Sequence, residues 1–229
     1  MVPMSARERL SQLIVLASSD TRAERGMLAM ELADILTDWP EEYPPHMRES
    51  FTILLEKIVD QLDDHERRTL AARLAPNSTT PLTLLNGLFF DTSPDLRSAV
   101  LTRNSQERHR EEIVPMPVDE LYLVQAAREY PPETFVRTLA RLLCIPVALA
   151  GRAMADANDE GLAILCKGAR VSRTTFSTLA MLTDISLLSA ERKLERYETV
   201  PEEASARMIQ FWRAQRDTSN FMDDGIQAA

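Results

Sequence analysis

Apolar residues recur at intervals of three and four positions along most of the chain. One run carries Phe51, Leu54, Leu55, Ile58 and Val59, and comparable runs continue into the C-terminal region. This spacing places apolar side chains on one face of an α-helix, whereas a half-buried strand would alternate apolar and polar residues. The pattern therefore predicts an all-α protein of about 12–14 helices with no β-strand.

Capping residues and prolines mark where the predicted helices begin and end. Asp63 and Glu66 have the spacing of a capping box, in which each side chain accepts a hydrogen bond from the backbone of the other residue. Pro40 predicts that a helix ends just before it, since proline disfavours helical geometry in the preceding residue. Further along, Asn158 and Ser172 are the predicted N-caps of the helices that follow them.

The predicted helices are short and are joined by tight turns. A pair of short helices cannot bury its apolar side alone, so many pairs in series usually stack and share one continuous core. The predicted architecture is a set of stacked helical hairpins, either a HEAT-like α-solenoid or an irregular helical array. We divide it into acidic N-terminal repeats, residues 1–103, and C-terminal repeats, residues 104–229, which either continue the first stack or form a second subdomain.

Composition agrees with the helical pattern. The chain has six Gly and only 6% aromatic residues, while 45% of its residues are hydrophobic. Antiparallel sandwiches and barrels use more aromatic residues and more turn-forming Gly than this. The formal net charge of −9 is typical of a globular protein and not of a basic nucleic-acid coat.

The negative charge is concentrated in the first third of the chain. Residues 20–66 contain thirteen Asp and Glu against four Arg and Lys, which gives −9, and the remaining residues sum to zero. Nucleic-acid affinity comes largely from Lys and Arg that displace counterions from phosphates, so this region should repel DNA and RNA. A partner held there by charge would be basic. Alternatively, the acids only solvate the exposed faces of amphipathic helices.

Three stretches of the sequence resemble a known bacterial family. They are RRTLAARLAP (67–76), PLTLLNGLFFDTSPDLRSAVLTRN (81–104), and the run from FVRTLARLLCIP (135–146) to STLAML (177–182). In these stretches the chain resembles the alphaproteobacterial family known as domain of unknown function 2336, over about residues 5–216. The resemblance implies a HEAT-like, all-helical bacterial protein with no assigned activity. It supplies no catalytic residues that could be placed on this chain.

Residues 162–179, LAILCKGARVSRTTFSTL, resemble a helix-turn-helix unit, whose second helix enters the major groove of DNA. Cys166 is small enough for a close helix crossing, Val171 would fill the turn, and Ser172 would begin the recognition helix. Against this, Arg170 stands where such motifs commonly have Gly, and the chain as a whole is acidic. The alternative is an ordinary helical hairpin with a serine cap.

Five basic residues in the C-terminal half form a candidate contact set for an anionic partner or for DNA. They are Arg141, Arg152, Lys167, Arg170 and Arg173. If they share one face, their charged groups would hold an acidic protein or a phosphorylated ligand. Alternatively, the side chains lie along the helices and pair with acids of the same region, which are Glu133, Asp156, Asp159 and Glu160.

The sequence contains no recognised catalytic motif. It lacks GxSxG, HExxH, Walker A and GxGxxG. His65 lies among acids at 63–66, but acids at a helix start are explained by capping. Cys144 and Cys166 each lie in an apolar run without a CxxC partner, which predicts reduced, buried thiols. We therefore expect no enzymatic activity, no cofactor and no metal site.

These observations favour a non-enzymatic helical-repeat protein that acts as a protein–protein interaction or regulatory module. A protein partner is expected, its identity is open, and the uneven charge is compatible with a homo-oligomer. The alternative is a DNA-binding regulator that uses the 162–179 unit, although the net charge argues against a nucleic-acid partner. No stretch approaches the roughly 18–20 apolar residues that span a bilayer, so we expect a cytoplasmic protein without membrane contact.

Overall fold

A computed structural model describes residues 6–18, 21–107, 117–183 and 187–224 of the chain. Over these ranges the chain forms thirteen α-helices and one short 3-10 helix, with no β-strand. The prediction of an all-α protein is confirmed. The chain divides into two compact units, Met1–Val100 (unit 1) and Leu101–Ala229 (unit 2), and the helix Pro94–Gln106 contains the boundary between them.

Unit 1 is built around its second helix. Its helices are α1 (Ala6–Ala17), α2 (Arg22–Thr37), α3 (His46–Val59), α4 (Asp64–Leu74), α5 (Leu82–Gly87), a 3-10 helix (Phe89–Asp91) and the start of α6 (Pro94–Gln106). The central helix, α2, packs against α1, α3 and α4. Leu32, Ala33, Ile35 and Leu36 of α2 are completely buried. Removing apolar surface of this kind from water contributes about 25 cal/mol per Å².

Two of the predicted helix boundaries in unit 1 are confirmed. α2 ends at Thr37, before Pro40. At the start of α4, the Asp63 carboxylate accepts a hydrogen bond from the Glu66 backbone N–H at 2.8 Å, and the Glu66 carboxylate accepts one from the Asp63 N–H at 2.9 Å. The bond from the Glu66 backbone holds the pKa of Asp63 below its usual range. The acidic run around His65 is therefore a capped helix start.

Unit 2 is built around α10. After the end of α6, its helices are α7 (Glu120–Glu129), α8 (Pro132–Leu143), α9 (Val147–Met154), α10 (Gly161–Gly168), α11 (Arg173–Leu182), α12 (Leu187–Thr199) and α13 (Glu202–Asp224). α10 contacts α9, α11, α12 and α13. Every residue from Gly161 to Cys166 is buried, as expected for a helix that is apolar on all sides. In a solenoid each repeat contacts only its neighbours, and that arrangement stays a prediction for this chain.

Two glycines allow other helices to approach α10 closely. A Cβ atom at Gly161 would lie 2.6 Å from the carbonyl carbon of Ala153, and one at Gly168 would lie 2.7 Å from Cγ1 of Ile209 on α13. Real Cβ atoms do not make contacts this short. Any larger residue at either position would have to push the neighbouring helix away from α10.

The predicted N-cap at Asn158 is wrong. The backbone N–H groups of Asn158, Glu160 and Gly161 donate to the carboxylate of Asp156, at 3.1–3.4 Å. Asp159 adopts a left-handed conformation with φ of 59°. Asp side chains commonly bond to backbone N–H groups that follow them in turns. Here that turn, and not an N-cap at Asn158, precedes α10.

Replacing Gly168 with Ala is expected to lower the free energy of unfolding by about 1–3 kcal/mol, because the added methyl group overpacks the contact with α13. The control is Gly151→Ala on α9, where the nearest atom to a new Cβ, Cγ1 of Val136, lies at 3.9 Å. Since Ala favours a helix more than Gly does, the control should gain up to about 1 kcal/mol. Urea unfolding followed by circular dichroism measures both changes. Equal effects at the two positions would contradict the close crossing at Gly168.

Candidate functional site

The segment that resembles a helix-turn-helix forms α10 and α11, joined by the turn at residues 169–172. Val171 fills this turn and is 3% exposed, and Cys166 is completely buried. Ser172 is the N-cap of α11, because its Oγ accepts a hydrogen bond from the Thr175 N–H at 3.2 Å. The predicted turn filled by Val171 and the predicted N-cap at Ser172 are confirmed, and a close helix crossing at Cys166 stays a prediction. Binding of DNA by the hairpin stays a prediction.

Arg170 ends α10 in a left-handed conformation, with φ of 56°. The Val171 N–H donates to the Cys166 carbonyl at 2.8 Å, and the Arg170 N–H donates to the Lys167 carbonyl at 3.1 Å. These two bonds define a Schellman motif, whose left-handed position usually carries Gly because a Cβ atom is disfavoured there. Arg170 therefore occupies this turn although its left-handed backbone conformation costs free energy.

Lys167 lies against the C-terminal end of α12. Its Nζ donates to the Tyr197 carbonyl at 2.5 Å and lies 5.0 Å from the centre of the Tyr197 ring. The same ring stacks on Phe176 of α11 with centroids 4.3 Å apart, and its Oη donates to the Val171 carbonyl at 3.1 Å. Tyr197 thus joins α10, α11 and α12. The amphipathic pattern around Tyr197 predicts a helix and does not reveal this role.

Arg170 and Arg173 face acids that flank the turn between α12 and α13. The Arg173 Nε donates to the Glu198 carboxylate at 2.5 Å, and the Arg170 Nε lies 3.7 Å from the Glu202 carboxylate. The hydrogen bond between Arg173 and Glu198 raises the pKa of Arg173 and lowers the pKa of Glu198. Both pairs are exposed, and exposed ion pairs stabilise a fold little. These ion pairs matter because carboxylates of the same chain occupy the place where an anionic partner is expected to bind.

The other two residues of the predicted contact set do not take part in these contacts. Arg141 donates to Tyr122 Oη on α7 at 3.2 Å, and Arg152 is half-buried on α9. The structure therefore brings Lys167, Arg170 and Arg173 to one place. Their partners Tyr197, Glu198 and Glu202 lie on α12 and α13. They are not the acids expected from the sequence, which are Glu133, Asp156, Asp159 and Glu160.

A carboxylate from α7 occupies the start of α11. Glu120 accepts hydrogen bonds from the Ser172 N–H at 2.8 Å, from Ser172 Oγ at 2.6 Å and from Thr175 Oγ1 at 2.6 Å. Burial raises the pKa of Glu120, but these hydrogen bonds outweigh burial and hold the pKa below its usual range. Helix N-termini commonly bind phosphate groups in complexes with nucleic acids. In this chain an internal anion takes that position.

The two cysteines lie in different surroundings. Cys166 is completely buried, and burial raises the pKa of its thiol, which makes the thiol unreactive. Cys144 is half-buried and follows α8 in a left-handed conformation, with φ of 56°. The prediction of a buried thiol is thus confirmed for Cys166 and wrong for Cys144. Across the described ranges, no three His, Cys, Asp or Glu side chains are placed to hold a metal ion.

A groove of about 480 Å³ opens between α1, α2 and α4 in unit 1, and we refer to it as the α2 groove. Ala23, Met27 and Met30 form an apolar stripe of α2 along it. Met27 is 51% exposed, which is high for an apolar residue of a central helix. The α1 side contributes Gln12, and the α4 side contributes Thr69. The helical periodicity of α2 does not reveal this groove.

A second cavity, of about 370 Å³, lies in unit 2 between residues 157–159 and α12. It is lined by charged groups that pair with acids of the same unit. Arg192 Nε lies 3.0 Å from the Asp159 carboxylate, and Arg196 lies 3.9 Å from the Glu160 carboxylate. The two arginines that line the cavity are therefore neutralised by acids of the same unit.

None of the helices in the described ranges is both long enough and apolar enough to cross a membrane by itself. α8 and α9 reach the required length and hydropathy only when taken together, and they are bent by 120° where they meet.

Fold and site together define an all-α protein of short helices, with a hairpin whose basic residues are paired internally and with an open apolar groove. Residues 54–210 match the family model of domain of unknown function 2336 (DUF2336), described as an uncharacterised protein conserved in bacteria. The chain belongs to this family, which confirms the family predicted from the sequence. The alphaproteobacterial and HEAT-like character of the family stays a prediction. The match begins within α3 and ends within α13. Comparison with curated proteins and with solved structures gives no match.

Arg170→Gly is expected to be more stable than Arg170→Ala by about 1 kcal/mol, because Gly adopts the left-handed conformation without a Cβ penalty. Both substitutions remove the contact with Glu202, so their difference isolates the backbone cost. Chemical denaturation of the two variants gives the comparison. Equal free energies of unfolding would show that α10 does not end in a left-handed residue.

Glu120→Gln is expected to lower the free energy of unfolding at pH 7 by about 1 kcal/mol, because hydrogen bonds to a charged acceptor are replaced by weaker neutral ones. The folded-state pKa of Glu120 is lowered, so its contribution is present above the usual pKa of 4.5 and disappears as the pH falls through the folded-state value. Unfolding curves of the wild type and the variant should therefore converge below pH 4.5. The control, Glu191→Gln on the exposed surface of α12, should show no such convergence. A difference that persists at low pH would contradict this role of Glu120.

Proposed function

We propose that this protein acts by binding another protein in the α2 groove, without chemistry of its own. The observation that carries this proposal is the apolar stripe Ala23, Met27 and Met30, which α1 and α4 flank without covering. Apolar side chains on the central helix of a unit are normally buried. An apolar surface that remains open at such a place commonly marks a binding site.

Methionine is a suitable residue for a protein-binding groove. Its side chain is unbranched and polarisable, so it adapts to partners of different shape and is frequent on binding surfaces that accept several ligands. The groove volume of about 480 Å³ lies within the range of clefts that enclose a ligand or a few anchoring side chains. In protein interfaces, a few such buried anchors provide most of the binding energy. Met27 and Met30 would receive the anchors of the partner.

The DNA-binding alternative gains no support from the contacts near α11. Lys167, Arg170 and Arg173 face groups on α12 and α13, and Glu120 occupies the start of α11. A phosphate backbone would have to displace each of these contacts. The α2 groove requires no such displacement, which favours protein binding as the function.

The proposal is tested by replacing Met27 with a photo-crosslinking residue in the full-length protein, expressed in its native bacterium. The control places the same residue at Ile53 on α3, which is 46% exposed and lies outside the groove. We expect Met27 to form a crosslink to one defined segment of a second polypeptide, identified by mass spectrometry, and Ile53 not to do so. Crosslinks from neither position, or the same products from both, would overturn the proposed function.

A further inference from the structure

The ionisable groups along the α2 groove carry one sign of charge. Among its described lining residues, Glu31 and Glu66 are acids, His65 is a histidine, and none is Lys or Arg. Glu66 also accepts the hydrogen bond that caps α4. Glu31 has no hydrogen-bond or ion-pair partner within the described residues. An apolar stripe therefore runs beside carboxylates that no nearby base neutralises within the groove.

Arginines of α2 and α4 near the groove pair with acids that do not line it. Arg22 pairs with Asp63 at 3.2 Å, and Arg73 pairs with Asp34 at 3.0 Å. Residues 20–66, which include all of α2 and α3 and the start of α4, have a net charge of −9. Arg22 and Arg73 are therefore already paired, and the net negative charge of residues 20–66 remains. A cation that approaches the groove meets a negative surface, whereas an anion is repelled.

The apolar stripe has the geometry of a helix-binding surface. Its residues are spaced as i, i+4 and i+7 along α2, which spans about 10 Å at the rise of an α-helix. A partner helix presents apolar side chains with the same spacing on one face, as amphipathic helices do in hydrophobic grooves. Two turns of such a helix would match the stripe. Glu66 lies against Gly26, within the length of the stripe, and Glu31 follows Met30 on α2, so the charged positions of the partner helix would lie beside these carboxylates.

We propose that the α2 groove binds a basic amphipathic helix, with apolar side chains against Ala23, Met27 and Met30 and with Lys or Arg facing Glu31 and Glu66. This inference rests on the proposed function, that the groove binds a protein, and it specifies the chemistry of the partner. The apolar stripe provides affinity, and the carboxylates select a basic partner over an acidic one. The other occupants that the groove could accept are a second copy of this chain and an acidic or neutral peptide.

The experiment measures fluorescence anisotropy of labelled model peptides with the full-length protein. The probe is a peptide of about 18 residues, five helical turns, with Leu on one face and Lys on the other. A matched peptide carries Glu in place of every Lys. We expect the Lys peptide to bind, the Glu peptide not to bind, and the affinity for the Lys peptide to fall as salt is raised.

Two pairs of variants locate the binding. Glu31→Lys should weaken binding of the Lys peptide about threefold to tenfold, because an attraction becomes a repulsion. Its control, Glu49→Lys on the exposed surface of α3, changes the net charge equally and should leave the affinity unchanged. Met27→Gln should weaken binding about tenfold through lost apolar contact, and its control Ile53→Gln should not. Circular dichroism verifies that each variant is folded.

The outcomes separate this inference from the proposed function. If both peptides bind equally, or if Glu31→Lys and Glu49→Lys behave alike, the inference is overturned, while the crosslink from Met27 still decides the proposed function. If Met27→Gln and Ile53→Gln have the same effect, the peptide does not enter the groove and the inference is overturned. If sedimentation without peptide shows a dimer that Met27→Gln dissociates, the occupant is a second copy and the inference is likewise overturned.

Discussion

Each unit depends on the burial of one helix by several others. α2 in unit 1 and α10 in unit 2 lie against three and four neighbouring helices, and the hydrophobic effect on these central helices is the main force that holds the short outer helices in place. Close packing around them requires small residues at the crossings. Gly168 provides this at α13, and Gly26 provides it where Glu66 of α4 approaches α2. Gly26, Gly161 and Gly168 thus serve helix contacts, and no glycine of the described ranges adopts a positive φ.

What the sequence could predict follows from how far apart the interacting residues lie. Helical periodicity and the capping box of Asp63 and Glu66 involve neighbours along the chain, and both are confirmed. The bonds from Ser172 and Thr175 to Glu120 span 52 and 55 residues, and the bond from Tyr197 to Val171 spans 26, so no local pattern indicates them. Left-handed helix ends at non-glycine residues carry no compositional mark either.

The contacts of the candidate residues could not be predicted from the sequence for a related physical reason. Charged residues such as Arg170 and Arg173 stand out in a sequence, but their charge does not tell whether an acid of the same chain will face them. In the structure such acids do, at Glu198 and Glu202. By contrast, Ala23, Met27 and Met30 have the same spacing as a buried stripe, so periodicity cannot distinguish an open apolar face from a covered one. Only the positions of α1 and α4 make that distinction.

The distribution of paired and unpaired charge also bears on selectivity. Around α11 the basic groups and the helix start are satisfied from within unit 2, so a further anion would gain little and would first have to break existing bonds. Along the α2 groove the balance is reversed, because Glu31 has no partner in the described part of the chain and the region as a whole is acidic. Apolar contact alone discriminates poorly between partners of similar size. Carboxylates beside the stripe would supply that discrimination, since they attract a basic helix and repel an acidic helix that offers the same apolar anchors.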